Sequence, residues 1–278
     1  MTRTIAVFGA TGFVGSAVVR EGGRAGFEVR PVDRASRTPT ADDVLYLIST
    51  THNYHVFDDV HRDVDTNLTV LLDVLKSLKP GRSTFNFVSS WFVYGDTPLP
   101  ACEDAPCHPR GFYSITKHCA EQLTESYCRT FGIDYRILRV CNVYGPGDRG
   151  VGKQKNALQF LIGELRAHRP ISLYHDGDFL RDYLHVDDVA RALLLCAEQA
   201  PKNQVTNIGS GEQIVFRQLM ERAATLLGST SDIGTMEPPA FHALVQVKDF
   251  YMDTTRLKAL GFQPRISLEA GLGEICRP

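Results

Sequence analysis

Val7-Phe8-Gly9-Ala10-Thr11-Gly12-Phe13-Val14-Gly15 joins an apolar run to a helical one through three glycines at GxxGxxG spacing. Thr4–Phe8 reads as a short buried strand, and a helix opens at Gly15 and runs through Arg20. In such a junction the first glycine permits a tight turn, and the second lets backbone N–H groups approach a pyrophosphate. The third allows close helix–strand packing, and the helix N-terminus favours the anion. Glycine turns are common, and a plain strand–turn–helix is the alternative reading. Asp33 weighs against it, because it ends a second strand (Phe27–Val32) 18 residues beyond Gly15, where a ribose diol would be held. Gly9, Thr11, Gly12, Phe13, Val14, Gly15, Asp33 and Arg34 are therefore the candidate cofactor-binding residues. The Asp33 carboxylate repels a 2′-phosphate and favours NAD; Arg34 and Arg37 follow it and could clamp that phosphate, so NADP is the alternative.

The alternation continues outward from this turn. Val44–Ile48 and Phe85–Ser89 read as strands, and Leu68–Leu78 carries apolar residues at helical spacing. Tyr113–Phe131 is a long helix ending at Gly132, followed by a strand over Asp134–Val140. Apolar strands alternating with helices imply a parallel sheet covered on both faces. After Tyr144 the pattern turns irregular, then helical over Asn156–His168. The expectation is an α/β chain: a Rossmann-type doubly wound parallel sheet with a smaller mixed α/β substrate-binding lobe. Residues 1–142 would form the dinucleotide-binding domain, with 181–205 returning to it. Residues 143–180 and 206–278 would form the smaller lobe.

Composition narrows the function. The 278 residues are 43% hydrophobic and 22% charged, and 30 Lys and Arg against 32 Asp and Glu leave a net charge of −2. That suits a globular chain and gives no global attraction to nucleic acid or anionic membrane. No apolar run approaches the roughly 20 residues that span a bilayer. The chain enters its first strand with no basic, apolar leader before it. The seven cysteines are odd in number and lack CxxC spacing, which suits reduced thiols; the expected compartment is cytoplasmic. Cys102, Cys107 and His108, or His52 and His55, could be imagined as metal ligands. Neither set has a second pair at ligand spacing, so ordinary loop residues are the better reading and no metal is expected.

Tyr113-Ser114-Ile115-Thr116-Lys117 opens the long helix, and residues four apart share a helix face. The Lys117 ammonium beside the Tyr113 phenol would lower its pKa from about 10 and make it usable as a general acid and base. Phe87-Val88-Ser89-Ser90-Trp91-Phe92-Val93-Tyr94-Gly95 ends a strand in serines, at the edge where parallel sheets bind ligands. Ser90 could then hydrogen-bond the reacting oxygen. These segments, with Cys102–Pro106, Leu138–Asp148, Arg181–Ala190, Asn207–Gly211 and Asp253–Phe262 in that order, resemble the extended short-chain dehydrogenase/reductases of the nucleotide-sugar epimerase/dehydratase family along nearly the whole chain. The resemblance implies Ser90, Tyr113 and Lys117 as the catalytic trio, with Lys117 also holding the nicotinamide ribose. It implies Asn142, Asn156 and Arg181 as contacts to a nucleotide diphospho-sugar, and a homodimer. Bland alternatives exist: Asn142 as a turn residue, Arg181 paired to Asp182, and Lys153 and Lys155 as a solvated loop.

The chain also departs from the resemblance. Only ten residues separate Asp33 from Val44, where the family fits a further strand and helix. The missing strand would be a sheet edge, so its loss need not break the sheet, but it removes the usual wall for the adenine. Gly22 and Gly23 fall inside the first helix at a cost of about 1 kcal/mol each relative to alanine. Trp91 and Phe92 stand where the family's dehydratases carry an Asp–Glu pair, which removes the acid and base for elimination. The two aromatics would shape a sugar pocket or simply pack. Where an arginine for the diphosphate is common, Gln246 and Lys248 stand. The expected reaction is 4-epimerisation; the alternatives are a 4-ketoreductase that consumes NAD(P)H and a non-catalytic dinucleotide sensor.

Overall fold

The computed structural model describes residues 2–277. The strands in chain order are β1 (Arg3–Phe8), β2 (Phe27–Pro31), β3 (Asp43–Tyr46), β4 (Thr84–Ser90), β5 (Asp134–Val140), β6 (Asn142–Tyr144), β7 (Ile171–Tyr174), β8 (Leu180–Arg181), β9 (Tyr183–His185) and β10 (Gln204–Ile208). Six of them form one all-parallel sheet in the order β10-β5-β4-β3-β1-β2. Successive strand residues point to opposite faces, so each face builds its own core. Val44, Tyr46, Phe85, Phe87 and Ile137 meet on one face, whereas Ile5, Val7, Leu45 and Leu138 meet on the other.

The helices that cover these faces follow in order: α1 (Phe13–Gly22), α2 (Arg62–Val64), α3 (Val70–Lys76), α4 (Phe112–Phe131), α5 (Ala157–Arg166) and α6 (Val186–Gln199). α1 and α6 supply Ala17, Val18, Val189 and Leu193 to the β1 face. α3 and α4 supply Leu71, Val74, Leu75 and Ala120 to the opposite one. A π-helical turn over Asp65–Thr69 joins α2 to α3. This is the doubly wound α/β sheet expected from the sequence, with β2 at one edge and, among the described residues, no strand beyond it. The short connection from Asp33 to β3 is pinned instead to α3, where the Ser77 hydroxyl donates to the Arg37 carbonyl at 2.8 Å.

Gly22 has a packing reason that the sequence did not reveal. A Cβ built there would lie 2.1 Å from Val29 Cγ2 on β2, so helix and edge strand touch at that residue. Gly23 has open space around it.

The rest of the chain adds β11 (Ile214–Val215), β12 (Ile233–Met236), α7 (Phe216–Leu227), α8 (Ala240–Val245), α9 (Thr255–Ala259) and α10 (Leu268–Cys276). Three strand pairs, β7 with β12, β8 with β11 and β6 with β9, accompany α5, α7 and α10. A third core of Tyr144, Leu158, Ile162, Leu173, Met220 and Leu272 fills the space among them. Because β1, β3, β4 and β5 run parallel, their carboxyl ends lie along one edge of the sheet, which is where a ligand site is sought.

Candidate active site

The glycine turn has the shape a dinucleotide pyrophosphate needs. Gly9 takes φ +78°, and its carbonyl accepts the Gly12 N–H at 3.0 Å. A Cβ on Gly15 would fall 2.1 Å from the Gly9 oxygen. Gly12 caps α1 without a side chain, so the first N–H groups of the helix face outward with no internal acceptor. Thr11 is exposed and Phe13 and Val14 half-buried beside them. Asp33 and Arg34 are exposed at the end of β2; one Asp33 oxygen accepts the Ala35 N–H at 2.8 Å. Arg37 donates to the carbonyls of Arg34 and Ser36, at 2.9 and 3.1 Å.

Tyr113 enters the site on the first turn of α4, whose start is fixed by the Ser114 hydroxyl accepting the Gly111 N–H at 2.9 Å. Ser90 reaches it from the end of β4, and both are 8% exposed. The Ser90 oxygen accepts the Phe92 N–H at 3.3 Å, which turns the Phe92 ring edge-on to Tyr113 with centroids 5.9 Å apart. Burial raises the phenol above its ordinary pKa; the Ser90 hydroxyl opposes that rise, the Asp63 charge adds to it, and the Ser49 hydroxyl opposes it again. Lys117 is 2% exposed, donates to the Val88 carbonyl at 2.6 Å and lies 4.2 Å from the Phe87 ring centroid. Burial pushes its ammonium down to about 7, with Glu121 pulling the other way. The charge expected to ease phenol ionisation is thus turned toward β4, and the phenol is raised where the sequence reading has it lowered. The site is too dry to favour either ion.

Two residues here carry no motif. Asn67, in the π-helical turn, accepts from Ser49 Oγ and the Thr50 N–H and donates to the hydroxyls of Thr50 and Thr116. It ties the end of β3 to the turn of α4 that carries Tyr113. Ser49, which donates to Asn67, is half-buried. A break in helical periodicity ahead of Leu68 was the one available signal for the π turn.

Arg181 faces this centre across the cleft. Its guanidinium donates to the carbonyls of Leu180 at 2.7 Å, Val247 at 3.1 Å and Lys248. It lies 4.5 Å from the Phe179 ring centroid and 5.6 Å from that of Trp91. Asp182 does not pair with it; that carboxylate instead accepts from Ser210, Gly211 and Met252. Among the described residues no carboxylate forms an ion pair with Arg181, and burial pushes its pKa down to about 10. Trp91 is 4% exposed, packed between Phe92 and Phe250, whereas Phe92 is half-buried and faces the phenol. Asn142 donates to the Asp182 carbonyl at 3.0 Å. Asn156 caps α5 and donates to Asp148 at 2.9 Å and Gln159 at 2.7 Å, so its amide is spoken for. Lys155 pairs with the same Asp148 at 2.7 Å. A cavity of about 310 Å³ opens between this loop and His52. His52 stacks on His55 at 3.8 Å, and burial pushes it down to about 4. Among the described residues no three His, Cys, Asp or Glu side chains gather as a metal site.

Comparison with known proteins fits this arrangement. The model of the NAD dependent epimerase/dehydratase family matches residues 41–209. A putative UDP-glucose 4-epimerase of Methanocaldococcus jannaschii is 30% identical over 216 residues, 77% of this chain and 68% of that protein. A dTDP-4-dehydro-6-deoxyglucose reductase of Escherichia coli is 27% identical over 84% of this chain and 73% of its own length. The crystal structure of the Thermotoga maritima UDP-glucose 4-epimerase with UDP-glucose superposes with a TM-score of 0.86 at 26% identity, covering 98% of this chain and 97% of that one. The strand order, the glycine turn and the match over most of the sheet lead to one assignment: the chain belongs to the NAD dependent epimerase/dehydratase family of enzymes.

Proposed function

We propose that the protein is a 4-epimerase of nucleotide diphospho-sugars that works with NAD. The observation that carries this reading is the pairing of a buried Tyr113–Ser90 centre with Arg181, a half-buried guanidinium that has aromatic and carbonyl neighbours and, among the described residues, no ion-paired carboxylate. A planar cation of that kind suits the fork-like contact of a diphosphate, and its carbonyl partners hold it in place beforehand. Gly9–Gly15, Asp33 and Lys117 would hold the cofactor, which supplies a hydride acceptor and donor at the sugar carbon when bound. Tyr113 takes the proton of the 4-hydroxyl and later returns it; Ser90 donates to the same oxygen. The keto-sugar turns within the pocket between the two events and presents its other face. Phe92 offers that motion a smooth wall. It also leaves positions 91 and 92 without the carboxylates an elimination would use.

A 4-ketoreductase is the second reading, favoured by the shortened connection beyond Asp33. An enzyme that consumes NAD(P)H releases its cofactor at every turnover, so a weaker hold on the adenosine would suit it. The likeness to the Escherichia coli reductase supports the same alternative. A panel of nucleotide diphospho-sugars, followed by cofactor absorbance and product stereochemistry together, separates them. The 4-epimerase yields the inverted sugar with no net change at the nicotinamide band, and Tyr113→Phe lowers kcat by about 10²-fold or more. Stoichiometric loss of NAD(P)H would establish the reductase. Full turnover by Tyr113→Phe would remove both.

A further inference from the structure

We infer that Asn53 is a positioning residue for Tyr113, capping from a separate turn of the chain the helix start that carries the phenol. The inference rests on the reading of Tyr113 as the acid and base. A helix leaves the N–H groups of its first turn without internal acceptors, and the side chain of the capping residue ordinarily takes one of them. The capping residue of α4 is Gly111, which has no side chain to offer. Its backbone is extended, at φ −129° and ψ 167°, so conformation does not demand glycine there. Space does. A Cβ on Gly111 would fall 2.2 Å from Asn53 Oδ1 and 2.4 Å from Asn53 Cγ. The carboxamide of Asn53 stands where the side chain of a capping Ser or Asp would begin.

The hydrogen bonds agree. In a reciprocal cap, the side chain of the third helical residue bonds the capping N–H, and the capping side chain accepts the N–H of that third residue. The first half is made inside α4, where the Ser114 hydroxyl accepts the Gly111 N–H at 2.9 Å. The second half comes from Asn53, whose Oδ1 accepts the Ser114 N–H at 3.4 Å. That bond is long, but Asn53 is 2% exposed, and no water replaces an acceptor lost from so dry a place. The Asn53 amide nitrogen has no hydrogen-bond partner among the described residues, so the oxygen is the atom that serves α4.

Asn53 is itself braced. It opens a 3₁₀ turn, Asn53–Phe57, in which His52 Nδ1 accepts the Tyr54 N–H at 3.2 Å. The Tyr54 hydroxyl meets His242 Nδ1 at 3.0 Å, and the rings of Tyr54 and Phe57 pack on Phe241 with centroids 5.2 and 4.6 Å apart. α8 thus steadies the turn, and the turn steadies α4. Asn67 holds α4 one residue short of Lys117, through Thr116, so the loss of Asn53 would loosen the first turn and leave the next anchored. A phenol on a loosened turn is out of line with the reacting oxygen for part of the time, and a misplacement of about 1 Å can cost about 10²-fold in rate.

The test compares Asn53→Ala, Gly111→Ser and the double variant with the parent, each as the full chain with NAD added. Two quantities are read: amide exchange across residues 111–116 by mass spectrometry, and kcat and KM on the nucleotide diphospho-sugar that the parent turns over. Asn53→Ala should speed exchange in that segment by about tenfold and lower kcat by about tenfold, with KM held within about twofold. Gly111→Ser alone drives its side chain into Asn53 and should harm both readouts. In the Asn53→Ala background the same serine supplies its own cap and should bring both back to within about threefold of the parent. That reversal of sign is what a cap lent from outside requires. Parental kcat in Asn53→Ala, a loss confined to KM, or a serine equally harmful in both backgrounds would each overturn the inference. Should Asn53→Ala not fold alone, by circular dichroism, a regained fold in the double variant supports the cap and a double variant that stays unfolded overturns it. Failure of the acid–base reading is distinguishable: full turnover by Tyr113→Phe would sink that reading, and the exchange pattern would still decide the cap.

Discussion

Lys117 shows what the site costs at the scale of one side chain. Its ammonium is buried with a single carbonyl and an aromatic face for company, and burial lowers it to about 7. An unfolded lysine titrates near 10.4, so between pH 7 and pH 10.4 the unfolded chain binds one proton more than the folded one. Stability attributable to this residue therefore rises with pH across that window. The penalty is complete below pH 7 and absent above about 10.4. Lys117→Met should stabilise the protein by about 2–4 kcal/mol at pH 6, with the gain fading toward pH 10, and should abolish turnover. Thermal melts of both proteins across that range check it; a constant difference in Tm would mean that the charge is not what is being relieved. The Tyr113–Lys117 spacing was readable because both residues lie on one turn of one helix. Asn67 was not, because it reaches Thr116, on the helical turn that carries Tyr113, only through the packing of separate elements.

Helices and strands repeat that lesson at their own scale. The long helix is legible from its apolar spacing and its closing Gly132, and the sequence places it within one residue of α4. The earlier helix was read only from Leu68, because the π turn at Asp65–Thr69 inserts an extra residue and shifts the phase of the apolar pattern. Asn156, a ligand candidate in sequence, also caps α5 in the fold, which sequence spacing did not reveal; its backbone is left-handed and its amide donates to Asp148 and Gln159. The paired glycines of α1 give an element-scale prediction with opposite signs. Helix propensity alone favours alanine at both positions by about 1 kcal/mol. Gly23→Ala, with open space, should be neutral or stabilising by up to about 1 kcal/mol. Gly22→Ala forces its methyl into Val29 on β2 and should cost about 1–3 kcal/mol. Denaturant melts of the two variants and of Gly22→Ala with Val29→Ala decide it: the double variant should recover most of the loss, and an unrecovered loss would place the cause elsewhere.

The whole molecule is a nearly neutral chain, and on the proposed reading its ligand contacts are local, at Arg181 and at the start of α1, so a net charge of −2 would not bear on them. The shortened connection is the feature that acts at this scale. The sheet stays whole because β2 is an edge strand, so the ten-residue link leaves the core intact and, on the proposed reading, falls at the cofactor's adenosine end. Binding to the folded state raises stability by RT ln(1 + [L]/Kd), about 2.7 kcal/mol at a hundredfold excess over Kd. A pyrophosphate cradle without an outer wall keeps the anion contact and loses adenosine burial, which raises Kd and leaves the chemistry untouched. The purified protein should therefore emerge from gel filtration without stoichiometric dinucleotide, and its Tm should climb steadily as NAD is added. Turnover as an epimerase should then require added NAD and consume none of it. Cofactor retained at one equivalent through gel filtration, with no further rise in Tm on adding NAD, would show that another surface does the work of the missing strand.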